Sequence, residues 1–523
     1  MKTQMTTTRL RAAVPATMRL ATLAAGLCAA AAGCADLDVV DPNERSTGSF
    51  WKTQNDAIAG TTATYSGLLP LGTYGRWQVF VSDLRSDIAT AQASPWADLA
   101  NYGRFTISNY DWEINGHVWV DHYRAIFRAN QAIGRIPGVP GDQIDPALRD
   151  RLTAENKAIR ALLYFNLVNY FGPNIPLVLD GSGDPTLRVP SSTVEAVYAQ
   201  IEKDLTEAIP ALPLSYTGVD VGRVTKGAAQ TLLGKAHLQQ KEWAQASAAL
   251  APVIASNQYE LLTDYAANFR DETESGAGRG PTGKPESVLE VQFGDESTLA
   301  QNVPGLSFTR MTGPCGPGFC DVRPTRWYFD QFFVERTTDA QLDPRLDATI
   351  FWNQPARTER VWQREYRSLW GSATDDRLFF KKYTEWWKGE RDFQRWDNPI
   401  NFRVLRYADA LLMQAEALNE QGQPQTAVPL VNLVRQRARL SALPTTTNQT
   451  DLRVQIRHQR LLEFGLEAQR WFDLVRYGEL ENAAALVARD ADFTGFIAGK
   501  SAVLPIPGSE VNRNQAVNQN PGY

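Results

Sequence analysis

The stretch KGAAQTLLGKAHLQQKEWAQASAALAPVIA, residues 226–255, decides the fold class. Apolar and small residues recur three and four apart through Lys226–Gln239 and again through Trp243–Ala255, which lays them along one face of each of two helices. Only a short turn near Lys241 separates the two runs, so the helices must lie antiparallel. Leu233, Gly234 and Ala236 on the first and Trp243 and Ala246 on the second provide small residues for close approach and an aromatic to fill the gap. The spacing predicts a helical hairpin.

That arrangement resembles the tetratricopeptide pattern, and a similar pair is predicted at Val404–Gln421 and Thr426–Leu440. Toward the N-terminus, helical periodicity runs through Phe50–Leu68 and through His117–Ile136, which stops at Pro137. It continues through Thr153–Tyr170, which ends at Gly172-Pro173, and from Val194, after the Ser191-Ser192-Thr193 cap, to about Leu212. Such pairs bury their faces only against neighbouring pairs and build a curved scaffold. The expected class is mainly α: tetratricopeptide-like helical pairs, a loop-rich, aromatic-rich region and few short strands. Residues 271–400 read as that irregular region. A flexible loop starts at Asp271, Ser287–Phe293 alternates like a strand, and six of the fourteen tryptophans (Trp352, Trp362, Trp370, Trp386, Trp387, Trp396) fall close together. Loops on a rigid scaffold are where binding residues concentrate. The chain thus divides into a leader (1–33), a helical region (34–270), the loop-rich region (271–400) and a C-terminal helical pair with an extended tail (401–523).

At 523 residues the chain exceeds one compact core, and 43% hydrophobic with 21% charged residues excludes disorder. The formal charge is −5, and removing Lys2, Arg9, Arg11 and Arg19 with the leader makes the remainder more acidic, so nucleic acid is excluded as a partner. The run Leu20–Ala32 carries no charge and follows three arginines, the pattern of a secretory signal. It is too short to span a membrane, which takes about 20 residues. Ala31-Ala32-Gly33-Cys34 resembles the lipobox of bacterial lipoproteins, which makes Cys34 the expected site of palmitate-type acylation; ordinary cleavage is the alternative. Cys28 leaves with the leader, so Cys315 and Cys320 remain. In an oxidising compartment Cys315-Gly-Pro-Gly-Phe-Cys320 can close a small disulfide ring that shapes a loop. Zinc would need more ligands than two cysteines with no nearby histidine supply.

Three C-terminal segments carry a wider resemblance. They are RVLRYADALLMQAEA (403–417), IRHQRLLEFGLEAQRWFDLVRYG (456–478), and Val503-Leu-Pro-Ile-Pro with the closing Gln519–Tyr523. Together with Asp41-Pro42, Phe50-Trp51, Arg160–Phe165 and Glu286–Phe293, they resemble the SusD/RagB family over nearly the whole mature chain. The resemblance implies an outer-membrane lipoprotein of nutrient uptake, exposed to the exterior. It also implies a SusC-like TonB-dependent transporter as partner, with the chain as its lid, and an oligosaccharide or peptide ligand.

A carbohydrate binder needs flat apolar faces with polar groups at the rim, which Trp and Tyr supply. Tyr74, Trp96, Tyr102, Trp327, Trp362 and Trp370 are the candidates, and at least two are expected to share one exposed arc, although core packing is the commoner role for any one aromatic. Glu463, Glu467, Arg470, Asp473 and Arg476 fall three or four apart. Arginines on that face would keep the carboxylates ionised, which argues against a catalytic acid. His117 and His122 do not stack on one helix face, so no metal pair is expected. Asp180–Asp184 starts like a calcium loop but lacks its twelfth-position acid and reads as a turn. No nucleophile, zinc-protease or phosphate-binding motif is present. The chain therefore reads as a non-enzymatic binder without cofactor. A peptide-binding member, a secreted hydrolase and a ligand-free assembly platform are the alternatives. The loops hold no acidic or basic run that selects a charged polymer.

Overall fold

Helix α1 (Gln54–Ser66) starts at Thr53, whose hydroxyl accepts the amide of Asp56 while the Asp56 carboxylate accepts the amide of Thr53. The computed structural model describes residues 50–184, 186–270, 280–294, 304–389, 396 and 398–523, so the leader, Cys34 and the loop at 271–279 lie outside the described residues. A short strand β1 (Ala89–Ala91) and α2 (Ala97–Gly103) lead to α3 (Glu113–Arg135). Helix α4 (Pro146–Phe171) begins seven residues ahead of the expected Thr153. Asp145 caps the amide of Leu148 and Pro146 occupies the first turn, where a missing N–H costs nothing. Helix α5 (Val194–Ala208) ends short of the expected Leu212 because Ile209–Ala211, with Pro210, tightens into a 3-10 turn.

The hairpin that set the class forms as α6 (Lys226–Gln239) and α7 (Trp243–Ala255). Gly234 lets the two approach: a Cβ there would sit 2.5 Å from Leu250 Cγ. The second expected pair differs at its start. Val404 lies in a strand, because Phe402–Arg406 pairs antiparallel with β2 (Ser287–Val291). A tertiary partner outweighs the helical spacing there. After β3 (Val322–Pro324), which pairs with β1, and that strand, now β4, come α8 (Tyr407–Glu420), α9 (Pro424–Arg437), α10 (Gln449–Glu463) and α11 (Arg470–Arg476). Helix α4 packs on α5, α6 on α7 and α8 on α9, while α8 also lies against α7 and so joins the two hairpins.

Helices dominate, and the strands are few and short. One apolar cluster extends from Leu68 to Val517 and includes residues of the three expected regions that follow the leader. Lys52–Tyr523 forms a single compact unit. Among the described residues no helix is long and apolar enough to cross a membrane.

The core is unusually ionic. Arg406, 1% exposed, donates to Glu467 Oε2 at 2.7 Å, Glu286 Oε1 at 2.6 Å and Glu463 Oε1 at 2.9 Å. Arg437 and Arg345 also pair with Glu463, and Lys382 with Glu467. Arg460 joins Asp409 to Asp473, Arg476 joins Glu416 to Asp473, and Arg470 meets Asp87. These pairs bind the 456–478 segment to the rest of the fold.

Candidate functional site

The carboxylates spaced along 463–473 are the first group to test for chemistry. Burial opposes ionisation of Glu463, but Arg437, Arg406 and Arg345 hold its carboxyl well below the usual range. Asp473, equally buried, is lowered by Arg460 and Arg476. Anions locked between guanidiniums and closed to solvent have neither the proton nor the access that a general acid needs. The histidines are similarly occupied. Burial lowers His122 to about 4, and its Nδ1 lies 2.7 Å from the Val118 carbonyl. One metal-type set does come together, Glu202, His237 and Glu242. His237 Nδ1 lies 2.6 Å from Glu242 Oε2, and Glu202 Oε1 accepts from Gln240 Nε2 at 2.7 Å. At Asp180–Asp184 the carboxylates accept from Ser182 and Thr186 in an exposed turn.

Four of the six candidate aromatics are built into the core, the commoner role for any one aromatic, so none of these four belongs to an exposed arc. Tyr74 packs on Phe402 and its hydroxyl accepts from Asn166 at 3.0 Å. Tyr102 is buried with its hydroxyl on Asn115. Trp362 donates to the Thr384 carbonyl at 3.1 Å and Trp370 to that of Arg377 at 2.8 Å. Each ring has its apolar body packed and its polar tip satisfied internally, so nothing favours exposure. Trp327 is half-buried, with Arg489 5.0 Å from its ring centroid. Only Trp96, at the start of α2, is open, at 40% exposure.

The structure assembles a different aromatic surface. Cys315 and Cys320 are disulfide-bonded, and the ring they close turns through Gly316, whose φ of +102° suits glycine. The Phe319 amide donates to the Arg310 carbonyl at 2.7 Å and the Gly318 amide to that of Pro314 at 2.7 Å. Pinned in this way, the loop presents Phe319 outward at 46% exposure beside Trp396 at 39%, with ring centroids 5.6 Å apart. Two guanidiniums lie over these rings. That of Arg310 is 4.3 Å from Phe319 and 4.9 Å from Trp396; that of Arg76 is 4.4 Å from Trp396. The segment leading to Trp96 abuts the same loop, since the Gln92 amide donates to the Asp321 carbonyl at 2.9 Å. Burial pushes the Asp321 carboxyl up to about 6.

Sequence reasoning passed over Phe319, Arg76 and Arg310, and placed Trp396 only within a tryptophan-rich run. A phenylalanine inside a Gly/Pro ring closed by two cysteines was the available signal, because so small a ring cannot bury its own side chain. Nothing in the sequence shows that Arg76 reaches Trp396.

Comparison with known proteins covers most of the described chain. A family model described as "SusD family" matches residues 285–523, and one described as "Starch-binding associating with outer membrane" matches residues 52–238. SusD-like protein P38 of Formosa agariphila is 26% identical over 465 residues, which span 84% of this chain and 87% of that one. SusD-like protein P2 of the same organism is 26% identical, over 94% of this chain and 97% of its own. A SusD superfamily protein from Bacteroides vulgatus superposes with a TM-score of 0.78 at 26% identity, covering 91% of this chain and 100% of that one. A laminarin-binding SusD-like protein superposes with a TM-score of 0.70 at 29% identity, covering 90% and 100%.

Proposed function

Because this chain belongs to the SusD/RagB family, we propose that it is a glycan-capture protein that binds oligosaccharide without cleaving it. The exposed Phe319–Trp396 pair is the observation that carries the reading. Two flat rings side by side, that of Phe319 carried on a disulfide-closed loop, offer surface to the C–H faces of sugar rings at small entropic cost, while adjacent donors meet hydroxyls. Trp96, and Trp327 at half exposure, extend the candidate surface. The laminarin-binding relative supports a carbohydrate ligand in preference to peptide. The carboxylates along 463–473 are locked in buried ion pairs, which favours binding over hydrolysis by that group.

In this reading the leader exports the chain, Cys34 carries the lipid anchor, and the protein faces the exterior of an outer membrane as the lid of a SusC-like TonB-dependent transporter. The leader sequence and the outer-membrane wording of the matching family model support that placement.

Calorimetric titration of residues 35–523 with neutral and acidic oligosaccharides and short peptides tests the proposal. The expected result is saturable binding of an oligosaccharide recovered unchanged, lost in a F319A/W396A variant. Full affinity of that variant for every glycan would refute the site. Turnover abolished by one carboxylate substitution would establish a hydrolase instead.

A further inference from the structure

Arginines in this protein are, as a rule, matched. Arg345, Arg406, Arg437, Arg460, Arg470 and Arg476 each meet at least one carboxylate in the core. Among the described residues Arg76 and Arg310 depart from that pattern, as does buried Arg85, which stacks on Trp471 inside the core and donates to the Ser501 carbonyl. Arg76 and Arg310 are both half-buried, and among the described residues no carboxylate lies within ion-pair distance of either. Arg76 spends its Nε on Ser307 Oγ at 3.1 Å, and the Arg310 Nε is buried without any partner. Burial lowers the pKa of both, with the more distant Glu113 opposing this at Arg76.

What the two arginines do contact is the aromatic pair. Stacking on a ring uses the face of a guanidinium and leaves its edge free, and that edge carries a planar fork of N–H donors. Trp396 and Phe319 therefore fix the orientation of two forks beside the exposed rings. Arg323 adds a third cation behind the disulfide, its guanidinium 3.6 Å from Cys320 Sγ. A half-desolvated cation is costly unless an anion meets it, and oxyanions are the groups a fork matches. Among the described residues no carboxylate provides that anion, although acids outnumber bases by five overall.

We propose that the glycan captured at Phe319 and Trp396 is anionic, and that Arg76 and Arg310 receive oxyanions carried on its sugar rings. The inference rests on the glycan-capture reading and narrows its substrate class. Carboxylates of uronic acids and sulfate esters share this chemistry. Aromatic faces hold the apolar side of a sugar ring, and each fork takes two oxygens of a neighbouring oxyanion. A neutral glucan would leave both guanidiniums without an anion.

The test titrates residues 35–523 with size-matched neutral β-glucan, polyuronate and sulfated galactan oligosaccharides at two salt concentrations. An anionic oligomer is expected to bind about tenfold or more tightly than the neutral one, and to weaken as salt rises. R76Q/R310Q should lose that advantage while its melting temperature stays at the wild-type value. R76K/R310K, which keeps the charge and loses the fork, should fall between. The polyuronate and sulfated arms tell which oxyanion is preferred. Equal or tighter binding of neutral glucan, or unchanged anionic binding by R76Q/R310Q, would overturn the charge assignment and leave glycan capture standing. Silence toward all three classes would overturn both, and so would binding that F319A/W396A leaves intact.

Discussion

Replacing Arg406 with methionine tests the claim that the C-terminal segment holds the fold through buried charge. The side chain is 1% exposed and its guanidinium also donates to the Glu463 carbonyl at 3.2 Å. Methionine keeps much of the volume, so the loss is electrostatic. Each abandoned carboxylate retains at least one other cation: Glu286 keeps Arg437, Glu463 keeps Arg437 and Arg345, and Glu467 keeps Lys382. The expected cost is therefore that of one broken buried pair, about 3–5 kcal/mol, and not a multiple of it. Against a total stability of about 5–15 kcal/mol this leaves the variant close to unfolding at ambient temperature. Urea titration followed by tryptophan fluorescence reads the loss as a lower midpoint at unchanged slope. Adding E467Q to R406M removes the negative charge left in excess in the cluster and should recover about 1 kcal/mol, although E467Q alone destabilises the wild type. A loss below about 1 kcal/mol, or no recovery in the double variant, would refute the reasoning.

Burial pushes Asp83 and Asp490 up to about 7, against 3.8 for a free aspartate. The folded chain thus holds protons that the unfolded chain releases between about pH 4 and 7, and the stability they contribute disappears as pH rises through 7. Melting temperature should be higher at pH 5 than at pH 8, with a smaller difference in D490N; an equal difference in that variant would count against Asp490. Trp362→Ala should cost about 3–5 kcal/mol while the folded fraction keeps wild-type glycan affinity, which thermal melts and calorimetry check separately. Gly234→Val forces a side chain against Leu250 and should cost about 1–3 kcal/mol in urea unfolding, less when Leu250 is cut to alanine in the same chain.

The hairpin at 226–255 was legible because its periodicity, turn and small residues agree, and no distant partner contests them. Phe402–Arg406 misled because its spacing suits a helix, while the ladder from Ser287–Val291 that makes it a strand comes from more than a hundred residues earlier. The same logic divides the aromatics. Trp362 and Trp396 look alike in a tryptophan-rich run, and their difference lies in whether a carbonyl such as that of Thr384 waits to accept the indole N–H. The pairing of Arg76 with Trp396 depends on tertiary proximity, so residue type pointed to the loop region but not to the cations that define its surface.

The pairing of Asp87 with Arg470 spans 383 residues, and the Asp83 carboxylate accepts the amides of Ala468 and Arg470 across a similar interval. During synthesis the two aspartates exist long before their partners. Closing the core around them early would strand the Asp87 anion and leave Asp83 without its amide donors in apolar surroundings, which disfavours compaction until the 456–478 segment arrives. Completion of the chain thereby becomes a condition for compaction. Products that end ahead of Arg470 should remain open to proteases, a built-in check on length that discards incomplete copies.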